Sequence, residues 1–296
     1  MHKENTVRNK VKECLTKIAA FLVLFVGIGL LLSSLLESAV VEVLSNRYLL
    51  QNYTAAQIAG NTAQARFAGT VIDEDIEIQD LTSILQNVSD IEKEQVVGAI
   101  AIASVGLYQP IFNGATKASL IAGAGTMKND QVMGQGNYCL AGHHMQDESL
   151  LFGPLLQVET GDWVQLTDKV ELYTYEVTEI KIIHQNEVEV LEDTKMPAVT
   201  LITCDQTGVG TNYRYMVRGI LIDISPMGEG QGSGDREQGE EEANEYLDVF
   251  LYQTTRKKTG SYLIWIWFIG VAAMAAVLVW TGNKILKSSE VGDQVK

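Results

Sequence analysis

The chain has 296 residues, which is enough for one substantial domain with attached segments. Its formal net charge is −15, with 37 acidic side chains against 22 basic ones. Because a surface that binds nucleic acid needs a basic face, this balance excludes DNA and RNA as expected partners.

Two stretches without a charged residue, 18–36 and 261–282, are predicted to be transmembrane helices. At about 1.5 Å per residue, each can span a hydrocarbon core of roughly 30 Å. A buried core helix is the alternative for either stretch, and a cleaved signal peptide is a second alternative for the first. We favour two uncleaved membrane spans, because core helices rarely lack polar residues on every side.

Charges on the flanks of the first span predict its orientation. Five basic residues precede it, so the positive-inside rule leaves the amino terminus in the cytoplasm. We therefore expect a cell-membrane protein with cytoplasmic tails at 1–17 and 283–296 and an extracellular domain between the spans. The basic run at 256–258 opposes this topology, which the first span usually dominates.

Residues 37–90 are predicted to form a helical, membrane-proximal arm. An alanine-rich piece at 54–66 favours a helix, and apolar residues within 81–88 recur with the i, i+3, i+4, i+7 spacing of a helix face. The pattern does not distinguish an arm that holds the domain away from the membrane from a plain linker.

Residues 91–225 consist of short apolar segments with the texture of β-strands. Eight such segments predict a small antiparallel barrel or sandwich, mainly β with short helices. A short helical turn is expected within 150–158. The eight predicted strands are 97–102, 107–112, 137–142, 163–167, 171–177, 180–184, 198–203 and 215–224.

An acidic, glycine-rich linker is predicted at 226–260. Its central part, 227–245, holds five glycines and seven acidic residues. Such a segment has too little apolar surface to pack, so we expect it to tether the domain to the second span.

Three side chains suggest nucleophilic chemistry. Cys204 ends a β-branched, apolar run and is followed by a Gly-rich loop sequence, so its thiol would be held rigidly yet stay accessible. His143 could carry a proton, and Arg214 could supply a permanent cation with several N–H donors. Because neighbouring residues on a strand point to opposite faces, only one of His143 and His144 is expected to face Cys204.

Two other uses of these residues are disfavoured. Cys139 lies about 13 Å along a strand from His143, so a Cys204 next to His143 is too far away for a disulfide and is expected to be a free thiol. Cys14 precedes the first span. No metal site is expected, since strand alternation disperses the ligands that zinc would need, namely Cys139, His143, His144 and Cys204.

The motifs Leu-Ile-Thr-Cys at 201–204, Ala-Gly-His at 141–143 and the Arg-Tyr-Met-Val-Arg-Gly that begins at Arg214 resemble the sortase signature. The segments 123–134 and 136–145 are similar to the class A, housekeeping sortases of Gram-positive bacteria. The resemblance covers less than half of the chain. It implies an eight-stranded sortase-type β-barrel, in agreement with the strand count.

The resemblance also implies a cysteine transpeptidase. Cys204 matches the nucleophile that attacks the Thr–Gly bond of an LPXTG-type sorting signal, and His143 matches the general acid/base. Arg214 matches the arginine that orients substrate and stabilises the oxyanion, while Thr203 matches a position whose backbone or hydroxyl assists there. The implied partners are LPXTG-type surface proteins and a lipid II-like cell-wall precursor whose amine resolves the thioester.

Two features separate the chain from parts of the family. A second span is typical of pilus-building class C enzymes, but their Asp-Pro-aromatic lid is absent ahead of the barrel. Housekeeping anchoring is therefore favoured over pilin polymerisation, which stays open as the alternative. The four prolines of the chain are Pro110, Pro154, Pro197 and Pro226.

No cofactor is expected to be required. Some sortases bind calcium near their active-site loops, and acidic residues in the predicted 183–197 loop could supply oxygen ligands, although a solvated loop is the favoured interpretation. The same loop would cover the Leu-Pro end of a sorting peptide. The acidic residues concerned are Glu187, Glu189, Glu192 and Asp193.

Two other classes of function remain possible at this level. A secreted cysteine endopeptidase would use the same cysteine and histidine with water as the acceptor. A non-catalytic, membrane-tethered β-domain would keep the fold without needing Cys204, His143 and Arg214 together.

Overall fold

In the computed structural model the chain divides into two compact units, residues 1–39 with 259–296 and residues 40–258. The second unit contains all the strands described below. The structure describes residues 33–68, 95–145, 147–204 and 212–227, together with 12, 16–20, 22–24, 27, 84, 86, 90 and 91.

The predicted span 261–282 lies outside the described residues, and of the predicted span 18–36 the structure describes 18–20, 22–24, 27 and 33–36, all of them helical. Among the residues that are described, no helix combines the length and the apolar character needed to cross a membrane. Of the predicted helix within 81–88 only 84 and 86 are described, both helical, and nearly all of the predicted 226–260 linker falls outside the described part.

Eight strands form the central sheet. They are β1 (Val96–Ile102), β2 (Leu107–Phe112), β3 (Ala124–Thr126), β4 (Asn137–Ala141), β5 (Trp163–Thr167), β6 (Glu171–His184), β7 (Ala198–Cys204) and β8 (Tyr213–Pro226). They close into a barrel in the order β1–β2–β3–β4–β7–β8–β6–β5. Most neighbours are antiparallel, but β2 pairs with β3, and β4 with β7, in parallel.

The predicted barrel of eight strands is confirmed, although two errors in the strand assignment compensate. The strands predicted at 171–177 and 180–184 are one strand, β6, whose register against β8 shifts between Val177 and Glu179. The missed strand is β3, which has only three residues, Ala-Gly-Thr, and is too short to show alternation. The expectation of a wholly antiparallel sheet is wrong at the two parallel pairs.

Large apolar side chains fill the barrel. Tyr175 and Phe152 are fully buried within this interior cluster, which also contains Leu140, Leu201 and Val217. Phe152 immediately precedes a 3₁₀ helix, Gly153–Gln157, that confirms the helical turn predicted within 150–158.

Helices lie before and between the strands. The described helices are α1 (Ser33–Arg47), α2 (Ala55–Ala68) and α3 (Lys117–Ala122), with short 3₁₀ helices at Leu50–Asn52, Ala103–Val105 and Val188–Leu191. The helix predicted at 54–66 is confirmed by α2. Residues on this arm are buried, with Leu50 and Ile58 exposing 3% and 0% of their surface, so this part of the chain is not a free linker.

Candidate functional site

The antiparallel pairing of β7 and β8 brings Cys204 and Arg214 directly opposite each other. Opposed residues in such a pair share a face and have Cα atoms about 4.5–5.5 Å apart. Both positions are on the face opposite to the interior residues Leu201 and Val217, because each is three residues away along an unbroken register. The sheet therefore puts the backbone positions of Cys204 and Arg214 next to each other, at positions that belong to the outer face of the barrel.

His143 comes to the same end of the sheet through the parallel pairing of β4 and β7. Ala141 is the partner of Ile202, and the N–H of the following Gly142 donates to the Ile202 carbonyl over 3.1 Å. His143 therefore follows directly after the last backbone contact between β4 and β7, near the end of β7 that carries Cys204. Residues distant in sequence thus converge at adjacent strand ends.

The two adjacent histidines lie outside β4, so the expectation based on strand alternation does not apply to them. The chain turns after Ala141, and a Cβ on Gly142 would lie only 2.4 Å from the Phe152 ring, which explains why glycine occupies this position. Burial distinguishes the pair instead. His143 is 3% exposed, whereas His144 is half-buried and its backbone pairs with Leu151.

The His143 imidazole is buried without a hydrogen-bond partner for Nε2 in the described part of the chain. Burial disfavours the charged imidazolium and lowers the pKa of His143 to about 4. At neutral pH the ring is therefore uncharged. An uncharged imidazole can accept a proton, as a general base must.

Thr203 is also buried, and its Oγ1 atom has no partner among the described residues. Thr203 is opposite Tyr215, and both positions are on the inner face of the sheet with Leu201 and Val217. Neighbouring residues on a strand alternate between faces, so Thr203 and Cys204 are on opposite faces. Only the backbone of Thr203 is common to both sides.

The Arg214 guanidinium is anchored at the start of β8. Its Nη1 donates to the Tyr213 carbonyl over 2.9 Å, and its Nη2 donates to Gln185 Oε1 over 3.2 Å. The backbone N–H of Gln185 in turn donates to the Asn212 carbonyl over 2.7 Å. Sequence reasoning missed Gln185, although it directly follows β6, the strand that pairs with Arg214 through Ile183.

The loop between β6 and β7, residues 185–197, packs beside these positions. Its Val190 joins a small apolar cluster with Ile183, Ile202 and Met216. Ile202 and Met216 are cross-strand partners two residues from Cys204 and Arg214, so they share the outer face with them. The loop therefore packs over a small buried apolar cluster next to the cysteine and arginine positions.

Polar contacts fix this loop to the sheet. The Asn137 amide donates to the carbonyls of Val190 and Glu192, and its Oδ1 accepts from the Thr200 hydroxyl over 2.7 Å. The Arg218 guanidinium also donates to the Val190 carbonyl over 2.7 Å. The loop end near Val190 is thus held by two side chains from the sheet.

The acidic residues of the loop have partners of their own. Asp193 accepts a hydrogen bond from Lys128 over 2.7 Å and another from the Asn137 N–H, and these contacts lower the pKa of the Asp193 carboxyl. Glu187 accepts from the His184 N–H over 2.7 Å. No group of three or more His, Cys, Asp and Glu suited to a metal ion occurs in the described regions.

Cys139 is a free thiol, whereas the free thiol predicted for Cys204 stays a prediction. It lies on β4 next to the Asn137 and Leu191 carbonyls, and burial raises its pKa to about 12. The thiolate is the reactive form of cysteine, so Cys139 is chemically inert at neutral pH.

Comparison with known proteins agrees with the motifs. The Sortase domain family matches residues 100–222. Over 207 residues the chain is 41% identical to sortase A of Listeria monocytogenes, covering 70% of this chain and 91% of that protein. It is 35% identical over 190 residues to sortase A of Streptococcus agalactiae, covering 62% of this chain and 75% of that protein.

A solved structure of Listeria monocytogenes sortase A is 49% identical to the matched part of the chain. The match covers 45% of this chain and 92% of that one, with a TM-score of 0.44.

Proposed function

The chain belongs to the sortase family and is most similar to its class A members, and we propose that it cleaves the Thr–Gly bond of LPXTG-type sorting signals. Cys204 is the proposed nucleophile, and the protein is transferred from its thioester to a cell-wall precursor amine. The observation that carries this proposal is the strand register, which puts Cys204 opposite Arg214, while His143 follows directly after the residues of β4 and Gly142 that bond to Ile202. Because sortases are cysteine transpeptidases, membership of the family supports the general reaction. The chemistry of Cys204, His143 and Arg214 supports the role proposed for each.

In the first proposed step, the uncharged His143 removes the proton of the Cys204 thiol. The thiolate sulfur then attacks the threonine carbonyl carbon of the sorting signal, and the carbonyl oxygen becomes an oxyanion. The Arg214 guanidinium offers N–H donors and a permanent charge to that oxyanion. Its contacts with Tyr213 and Gln185 hold it in place before the substrate arrives.

In the second proposed step, the tetrahedral intermediate collapses and the bond to the glycine nitrogen breaks. His143 returns its proton to that nitrogen, which leaves as an amine and carries away the carboxyl-terminal piece. Because burial disfavours the imidazolium, His143 in this form is a strong acid toward the leaving group. Cys204 remains linked to the threonine carbonyl as a thioester.

The thioester is then resolved by an amine. The amine nitrogen attacks the same carbonyl carbon, His143 accepts its proton, and the Cys204 sulfur leaves as a thiolate that is reprotonated. Water in place of the amine would give hydrolysis as a side reaction. Thr203 is proposed to assist through its backbone, since its side-chain position is on the inner face of the sheet.

The apolar end of the signal is assigned to the loop beside these residues. The 185–197 loop, which packs over the buried cluster of Val190, Ile202 and Met216 beside the cysteine position, is proposed to cover the Leu-Pro end of the peptide. No metal is proposed to be required, because the Lys128 ammonium already neutralises Asp193 in the loop. Chelation of calcium should therefore leave the rate unchanged.

The proposed setting is the cell membrane. Residues 18–36 and 261–282 would anchor the protein, with the amino terminus in the cytoplasm and the catalytic domain outside. There the domain would meet both exported surface proteins and a lipid II-like precursor. The charge distribution before residue 18 supports this orientation.

The test uses the full-length chain with an LPXTG-type peptide, with and without a small amine, followed by intact mass. A thioester on Cys204 that passes to the amine is the expected result, and Cys204→Ala is the control. Cleavage that ignores the amine would favour the cysteine endopeptidase instead. The absence of any adduct would contradict the proposal and favour a non-catalytic β-domain, and preference for a pilin lysine as acceptor would favour the pilin-polymerising role.

A further inference from the structure

The orientation of the His143 ring is not fixed by a hydrogen bond. Within the described residues Nε2 has no partner, and burial alone accounts for the lowered pKa. General bases of this kind are commonly held by a third group, such as a carboxylate that accepts from the second ring nitrogen. Here the position of the ring depends on the packing of the segment that carries it.

That segment, residues 142–153, is a closed turn, which we call the histidine turn. The N–H of Phe152 donates to the His143 carbonyl over 2.9 Å, and His144 pairs with Leu151. The Phe152 ring lies close against Gly142 on one side of His143. These contacts tie the two ends of the histidine turn together next to His143.

The outer side of the histidine turn is buried in an apolar cluster shared with the amino-terminal arm. Met145, Leu150 and Leu151 are 5%, 6% and 2% exposed and belong to the same cluster as arm residues. The arm contributes Leu44, Tyr48, Leu49, Leu50 and Ile58, and the barrel contributes Ala99, Ala101, Tyr108, Phe112 and Leu172.

Polar contacts fasten the arm to the barrel at two points. The Lys169 ammonium donates to the carbonyl oxygens of Leu50 and Tyr53, so one side chain from the turn before β6 binds both ends of the 3₁₀ helix Leu50–Asn52. The Asn61 amide donates to the Val96 carbonyl over 2.8 Å. These are contacts between parts of the chain that are far apart in sequence.

From these contacts we propose that the arm, residues 44–61, is a positioning element for His143, with Lys169 as the residue that fastens it. The arm supports the apolar side of the histidine turn, and the turn holds the imidazole near the end of β7. This assignment rests on the proposed role of His143. The arm makes no contact with substrate in this proposal and acts only through the turn.

Amide hydrogen exchange on the full-length protein in detergent tests the proposal without any substrate. Lys169→Met keeps the aliphatic stem but removes both hydrogen bonds, and Lys169→Arg restores a charged donor. We expect exchange in residues 143–152 to accelerate about tenfold in Lys169→Met, the size expected for lost hydrogen bonds to a charged group. Lys169→Arg should stay near the wild-type rate.

Two further variants separate positioning from general loss of stability. Ile58→Ala removes a fully buried arm side chain, and Val164→Ala shortens a fully buried side chain of the barrel interior. Ile58→Ala should accelerate exchange in 143–152, whereas Val164→Ala should not do so selectively. Wild-type exchange rates at 143–152 in both Lys169→Met and Ile58→Ala would overturn the proposal.

The kinetic consequence is measured separately. At a temperature where all variants stay folded, Lys169→Met should lower kcat for the sorting peptide about three- to tenfold while KM changes less than twofold, because proton transfer is impaired and peptide binding is not. Failure of the proposed function would abolish this readout in every variant, but it would leave the exchange result intact. The two failures are therefore distinguishable.

Discussion

The two ends of strands β4, β7 and β8 differ in whether their polar side chains are hydrogen-bonded. At the end that begins with Asn137, the side chains of Asn137, Thr200 and Arg218 bond to one another or to the loop at 185–197. At the other end, His143 Nε2 and Thr203 Oγ1 are buried without a partner among the described residues. The side chains at the Asn137 end therefore stabilise the sheet and its loop, whereas these two atoms at the His143 end make no hydrogen bond among the described residues.

This difference has an energetic meaning. A buried polar atom without a hydrogen bond costs about 1–3 kcal/mol, so a sheet tolerates such atoms where they serve another purpose. The paired end offers nothing to a substrate, because its donors and acceptors are already satisfied. Substitutions at each end test this difference.

The largest effect is expected at the cysteine position. Cys204→Ala should abolish thioester formation, because no other thiolate is available at the site. Cys139→Ala removes a buried thiol of high pKa from the paired end and should leave the adduct unchanged. Intact mass after incubation with peptide checks both, and an adduct that persists in Cys204→Ala would remove the assigned nucleophile.

The adjacent histidines should differ strongly in their effect. His143→Ala should lower kcat about 10²- to 10⁴-fold, the usual contribution of a general acid/base. His144→Ala is the matched control and should cost much less, since His144 is half-buried and outside the proposed proton path. Equal losses in steady-state assays would mean that the wrong histidine has been assigned.

The role of Arg214 is tested by a lysine substitution, which keeps the positive charge but removes the planar guanidinium and its several N–H donors. Arg214→Lys should lower kcat about 10²- to 10³-fold, as loss of an oxyanion donor does in other acyl-transfer enzymes. Gln185→Leu should produce a smaller loss in the same direction, because Arg214 keeps its contact with the Tyr213 carbonyl. Near-normal turnover of Arg214→Lys would exclude the oxyanion role.

At the paired end, stability should respond more than the chemical step. Asn137→Ala leaves the carbonyls of Val190 and Glu192 and the Thr200 hydroxyl without this partner, so unfolding free energy should fall by about 2–4 kcal/mol. Urea unfolding measures that loss. A Cys204 that still forms the thioester in the folded variant would confirm the separation of the two ends, and a dead but fully stable variant would contradict it.

The smallest expected effect is a loss of stability at acid pH. The folded pKa of His143 is about 4, below the ordinary value of about 6.5, so the unfolded state binds more protons between these two pH values. Stability from this residue is present above pH 6.5 and is lost as pH falls toward 4, by about 2 kcal/mol between pH 7.5 and 5. Between pH 7.5 and 5, the free energy of unfolding should therefore fall by about 2 kcal/mol less in His143→Gln than in the wild-type protein. Urea unfolding at the two pH values measures this difference.

The sequence indicates the candidate side chains of the site more readily than the residues that support them. Cys204 and Arg214 are candidates because they lie at a predicted strand end and close to a predicted strand start, and β7 and β8 do place these two positions opposite each other. Gln185 was missed because an amide in a loop has no sequence signal, and its importance arises only from pairing with the start of β8. The turn after Ala141 depends on the approach of Phe152 to Gly142, which is a packing event that local pattern does not contain.

The same limit applies to the fold. Helix α2 was predictable from its composition, but the attachment of the preceding 3₁₀ helix to the barrel was not, since Lys169 contacts Leu50 and Tyr53 across more than a hundred residues. The three-residue strand β3 was invisible for a different reason, namely that it is too short for a period to show. Local sequence patterns thus predicted individual helices and strands, whereas contacts between residues far apart in sequence determine how these elements pack together.

The parallel pairing of β4 with β7 has a consequence for how the protein matures. Parallel neighbours cannot form as a local hairpin, and here β5 and β6 lie between β4 and β7 in sequence, so β7 pairs with β4 only after both have been synthesised. Contacts of such long sequence separation form slowly. The positions proposed for the nucleophile and the base are therefore brought together by one of the late contacts of the barrel.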